Sequence, residues 1–94
     1  MHARAERMAR TVSRQLGGPA VVRRDGAAWH VEALIVPVLL DAGDGTVAER
    51  RWRIAVPVAA VRLEPGDVVE ARGNRYTIDT VDYDDGGIRV GWAR

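Results

Sequence analysis

The chain has 94 residues, with fourteen arginines, thirteen acidic residues, no lysine and no cysteine, for a formal net charge of +1. A chain of this length forms one domain and buries only ~60–65% of the surface its unfolded form exposes. The absence of cysteine excludes disulfide staples and thiol catalysis and fits a cytosolic origin, and so small a net charge does not advertise nucleic-acid binding. The longest apolar run, Ala33–Leu40 with Pro37 inside it, is too short to span a bilayer. The N-terminus lacks the hydrophobic core of a secretion signal, so neither membrane insertion nor export is expected.

Residues 2–16, HARAERMARTVSRQL, predict an N-terminal amphipathic helix occupying residues 1–18. At 100° per residue, Met1, Ala5, Met8, Ala9, Val12 and Leu16 share one thin stripe. Arg4, Arg7, Arg10 and Arg14 lie opposite it, and Gly17, Gly18 and Pro19 end the helix. Such a helix packs weakly on its own domain or waits for a partner. Its arginines face solvent, DNA phosphates or an acidic protein surface.

From Pro19 onward the pattern is short strands separated by turn signals, a single β domain over residues 19–94. Asp25-Gly26 suits a type I′ hairpin turn. The returning strand alternates Trp29, Val31, Ala33 and Ile35 with His30, Glu32 and Leu34. Residues 36–49 have no clean period, contain Pro37, Gly43 and Gly45, and are expected to form a long irregular loop between the second and third strands. Its start, Val36, Pro37, Val38, Leu39 and Leu40, is costly to leave in water. The segment therefore folds back on the core or is buried against another subunit, with Asp41, Asp44, Val47 and Glu49 completing the candidate interface. The next strand places Trp52, Ile54 and Val56 opposite Arg51 and Arg53.

Pro65-Gly66-Asp67 reads as a type II turn and Gly73-Asn74 as a tight turn. In RYTIDTVDY the apolar phase slips between Ile78 and Val81, which predicts a β-bulge near Asp79–Thr80. Asp84, Asp85, Gly86 and Gly87 form the last hairpin turn, and a closing strand presents Ile88, Val90 and Trp92 as its buried face. The expected architecture is mostly β: a small antiparallel barrel or sandwich of five to six strands, with the N-terminal helix and the long loop. Three tryptophans anchor its core in the absence of phenylalanine.

No catalytic constellation assembles from these residues. Ser13, the single serine, has no plausible histidine base, and no phosphate-loop glycine pattern precedes a helix. Asp82, Asp84 and Asp85 begin a Ca²⁺-like run that no closing acid completes. His30 and Glu32 share a strand face but lack two further zinc ligands. No enzyme, cofactor or metal is therefore expected. A nucleic-acid-binding barrel is the rival, with Arg51 and Arg53 beside Trp52, but alternation turns Trp52 toward the core and the arginines away from it.

The order of elements, together with Arg62, Gly66 and Asp67, then Ile78, Asp79 and Val81, then Asp84–Gly87 with Trp92, resembles the lambda-type head–tail joining (head-completion or stopper) proteins of long-tailed phages. That resemblance implies a structural protein of the virion neck, made in the host cytoplasm and assembled as a ring, commonly a hexamer. It implies a portal or adaptor ring above, a tail terminator or tail tube below, and packaged double-stranded DNA in the channel. It places the interface-forming loop at Val36–Glu49 and implies no catalytic residues; an adaptor or tail terminator is the nearest alternative. Charge asymmetry, four arginines against Glu6 in residues 1–16 and seven acids against Arg72 and Arg75 in residues 64–85, suits a heterologous subunit contact.

Overall fold

The structure is a computed structural model that describes residues 17–41 and 47–94. Residues 1–16 of the predicted helix, with Arg4, Arg7, Arg10 and Arg14, lie outside the described residues, as does Asp44, while Gly17 and Gly18, expected at its end, belong to the first strand. Six strands, β1 (Gly17–Arg24), β2 (Ala27–Asp41), β3 (Val47–Pro57), β4 (Val68–Ala71), β5 (Asn74–Asp84) and β6 (Ile88–Ala93), close a barrel in the order β1-β2-β3-β6-β5-β4. Every pairing is antiparallel.

The turns follow from local chemistry. Asp25 (φ 47°) and Gly26 (φ 83°) both adopt the left-handed region that a type I′ turn demands, and Gly66 (φ 92°) supplies the expected type II turn. The β4–β5 turn sits one residue earlier than the sequence suggests. Its central residues are Arg72 (φ 52°) and Gly73 (φ 78°), while Asn74 already pairs with Ala71. In the last turn Asp84 accepts the Gly86 N–H, and Asp85 accepts those of Gly87 and Ile88, all at 2.8 Å. Short acidic side chains thus replace the backbone partners that the turn lacks.

The core is built from alternate residues of each strand: Ala20 and Val22, Val31 and Ala33, Ile54 and Val56, Val69, Tyr76 and Ile78, and Ala93. Val61 and Leu63, from the β3–β4 connection, complete it. That connection stops one barrel end. Val58 N–H donates to Gly87 O, Gly66 N–H to Ile78 O and Ile78 N–H to Asp67 O, while the Arg89 guanidinium holds Leu63 O. Leu63 has no exposed surface, and burying its side chain contributes about 1.5–3 kcal/mol. The register of β5 against β6 shifts between Ile78 and Thr80, where the bulge is expected, and again between Val81 and Tyr83.

Two expectations are corrected. The long loop over residues 36–49 is mostly strand: β2 continues through Pro37 to Asp41, and β3 resumes at Val47. The closing strand buries the opposite face from the one expected: Gly91 and Ala93 point inward, while Ile88 is 45% exposed. The interior leaves no room for the larger set. A Cβ on Gly91 would lie 2.9 Å from Thr80 O and 3.3 Å from Ile78 Cγ2. The tryptophans accordingly sit at the margins. Trp29 and Trp52 pack against the core from its edge, and Trp92 lies on the outer surface beneath two arginines.

Candidate functional site

The β2–β3 arm is the feature that barrel closure does not require. β1 meets β2 from Ala27 to Leu34, and β6 meets β3 from Trp52 to Pro57. Among the described residues, 38–41 of β2 and 47–51 of β3 therefore pair only with each other, while Ile35, Val36 and Pro37 leave β1 but still pair with Ile54, Arg53 and Trp52 of the barrel. Four residues of β2 carry the arm about 13 Å past the closed barrel. Alternation puts Pro37 and Leu39 on the face that continues the barrel interior, and Val36, Val38 and Leu40 on the other. Leu39 is 57% exposed, Pro37 and Glu49 are exposed, and Val36, Val38 and Leu40 are half-buried. An isolated two-stranded ribbon with apolar side chains on both faces is marginal in water, so a partner surface is its natural complement. Asp41 and Val47 form its outermost described backbone pair, next to a register shift at Leu40/Asp41.

At the base of the arm the barrel end opposite the β3–β4 connection opens into a cleft of about 280 Å³. Ile35, Pro37, Trp52 and Tyr76 supply its apolar wall, and Arg72 and Asn74 stand at its rim. Trp52 and Tyr76 meet edge to face, with ring centroids 5.1 Å apart, which fixes both aromatic planes.

The outer face of β3, β5 and β6 carries a network of ion pairs around Trp92. The Arg53 guanidinium lies 4.5 Å and that of Arg51 5.7 Å from the Trp92 ring centre. Arg53 pairs with Asp82, which also accepts the Trp92 indole N–H at 3.1 Å. Arg51 and Arg94 both reach Asp79. Arg62 and Arg89 converge on Asp84. The arginines that flank Trp52 in the sequence are thus committed to carboxylates and to a different tryptophan, so no stacking platform forms at Trp52.

Each carboxylate in this network is held below its ordinary pKa: Asp79 by Arg94 and then Arg51, Asp82 by Arg53 and then the Trp92 N–H. Asp84 is lowered by the Gly86 N–H and then Arg89, and Asp85 by the N–H groups of Ile88 and Gly87. A folded pKa below the unfolded one gives stability that is fully present above the unfolded value, about 3.9 for aspartate, and lost as pH falls through the folded value. Thermal unfolding should therefore show Tm level from neutral pH down to about pH 5 and falling below about pH 4. A Tm unchanged at about pH 2.5 would contradict this.

The predicted site residues separate into three groups. Val36, Pro37, Val38, Leu39, Leu40 and Glu49 come together on the arm and at its base, with Asp41 and Val47 at its end. Asp25, Gly26, Pro65, Gly66, Gly73, Asn74, Asp84, Asp85, Gly86 and Gly87 lie at or beside the turns. Asp67 does more than turn the chain. It is 1% exposed and accepts bonds from Arg24 and from the Glu64 N–H. Sequence reasoning missed that pair, because its members are 43 residues apart and no local pattern links them. It also missed Tyr83 (50% exposed) and Ile88 (45% exposed), apolar residues left outside on the last hairpin. His30 and Glu32 are both exposed on one strand face, and among the described residues no group of three or more His, Cys, Asp or Glu is placed to hold a metal ion. Among those residues, too, no helix is long and apolar enough to cross a membrane.

A small closed barrel whose most prominent surface feature is an apolar arm has the form of an assembly module. The model of one protein family, phage head-tail attachment protein, matches residues 1–93, and the chain belongs to that family. Its role is that of a phage head–tail connector, located in the virion neck and in contact with head and tail components. The resemblance carried by Arg62, Gly66, Asp67, Ile78, Asp79, Val81, Asp84–Gly87 and Trp92 is met at this level. A comparison with curated proteins finds no match.

Proposed function

We propose that this chain is the head-completion (stopper) component of the neck. Six copies form a ring beneath the portal or adaptor, retain the packaged DNA and present a docking surface to the tail. The protein works by binding rather than by turnover. The arm supports this reading: residues 38–41 and 47–51 extend past the barrel with Leu39 exposed, and a neighbouring subunit or ring gives them a surface to cover. The closed barrel behind the arm is its mount, each strand having a hydrogen-bonded neighbour on both sides over at least part of its length. Electron microscopy of DNA-filled, tailless heads incubated with the purified chain tests the proposal. A six-fold cap at the portal vertex is expected. A bare vertex, or a chain that instead coats free DNA with a steep salt dependence, would count against it.

A further inference from the structure

The two barrel ends carry complementary surfaces. At one end is the cleft walled by Ile35, Pro37, Trp52 and Tyr76, with Arg72 and Asn74 at the rim and Arg75 exposed beside it. Neither Arg72 nor Arg75 has a carboxylate within ion-pair distance among the described residues; Arg72 reaches only Gly17 O, at 3.3 Å. The β5–β6 hairpin lies at the other end. β5 runs from Asn74 beside the cleft to Asp84 at the hairpin, which places the two surfaces a strand length apart. The hairpin tip exposes Tyr83 and Ile88 around Asp85. Among the described residues, Asp84 is compensated by Arg62 and Arg89, whereas Asp85 meets only turn N–H groups and the Tyr83 hydroxyl.

From these facts we infer that the hairpin tip of one copy docks in the cleft of the next, Ile88 or Tyr83 filling the apolar wall and Asp85 meeting Arg72 and Arg75. The inference deepens the proposed ring and rests on it. A second copy is the occupant because the complementary surface is on this same chain, opposite in charge and apolar where the cleft is apolar. One molecule does not satisfy itself, since its hairpin and cleft are at opposite ends of a closed barrel. A head-to-tail contact of this kind leaves one free cleft and one free hairpin in any open row, and satisfies every copy only when the row closes. The cleft holds about nine waters' share of liquid volume, enough for one large side chain to displace them.

The cysteine-free sequence makes the test direct. Asn74→Cys at the cleft rim and Gly87→Cys beside Ile88 leave the docking side chains in place. Each variant is incubated with DNA-filled, tailless heads and a short bifunctional maleimide. Neither single variant should cross-link alone, their mixture should give dimers, and the doubly substituted chain should give a ladder that ends at the closed ring. Adding Arg72→Glu and Arg75→Glu should lower the yield about tenfold or more. Capped heads without the 74–87 cross-link would overturn this contact while leaving the ring intact. Cross-linked rows in solution beside bare heads would support the contact and remove the neck-ring reading. Cross-linking of Asn74→Cys to itself would mean a two-fold contact and would overturn the inference.

Discussion

Replacing Gly91 with alanine is expected to destabilise the barrel by about 1–3 kcal/mol, the usual cost of overpacking a filled interior. The added Cβ would lie 2.9 Å from Thr80 O, 3.3 Å from Ile78 Cγ2 and 3.4 Å from Leu63 Cδ2. The nearest of these is backbone at the β5 bulge, which does not swing aside as a flexible side chain would. The other two belong to Ile78 (1% exposed) and Leu63 (fully buried), so the strain spreads into the centre of the core. Urea unfolding of Gly91→Ala reads the effect as a lowered midpoint at unchanged slope. Gly87→Ala is the control, because its Cβ would meet only the exposed, movable Asp85 carboxylate, at 3.4 Å. Equal stability of Gly91→Ala and the parent would show that β6 does not seal the interior in this way.

The second large effect is expected at Arg24. Asp67 is 1% exposed, and Arg24 clamps it with Nε at 2.7 Å and a terminal guanidinium nitrogen at 2.8 Å. The same guanidinium donates to Arg62 O at 2.8 Å and lies 5.1 Å from the Trp29 ring centre, and its pKa is raised chiefly by the bond to Asp67. Removing one partner of a buried pair costs about 3–5 kcal/mol; Arg24 is 28% exposed, so Arg24→Ala should cost about 2–4 kcal/mol. Among the described residues, the Glu64 N–H would remain as the only donor to a carboxylate that water reaches poorly. Arg24→Met with Asp67→Asn should recover most of the loss, since the amide keeps an acceptor for Glu64 and carries no charge. A loss below about 0.5 kcal/mol for Arg24→Ala would mean that the β3–β4 connection stays closed without this clamp.

The turns were legible because their chemistry is local. Asp25-Gly26 and Pro65-Gly66 each specify a backbone conformation within two residues, and the bulge near Asp79–Thr80 shows as a slip in apolar phase. The inner face of β6 was not legible. Ile88, Val90 and Trp92 alternate as cleanly as Gly91 and Ala93, and periodicity does not reveal that the interior is already filled by Leu63 and Ile78. Small residues facing in, with Trp92 capped by Arg51 and Arg53 outside, become visible only once β3, β5 and β6 are adjacent. The segment beginning at Val36 reads as an irregular loop, whereas its backbone is strand through Asp41. Pro37 reads as an interruption, yet an arm strand with an open edge tolerates a missing N–H. Arg24 and Asp67, from β1 and the β3–β4 connection, left no sequence trace of their pairing.

The central claim is that the apolar arm is an assembly surface. Side-chain-resolution cryo-electron microscopy of the capped portal vertex tests it most directly. The account predicts Val36, Val38, Leu39 and Leu40 covered by a neighbouring subunit or an adjoining ring. An occupied vertex whose arms project into open solvent would contradict it.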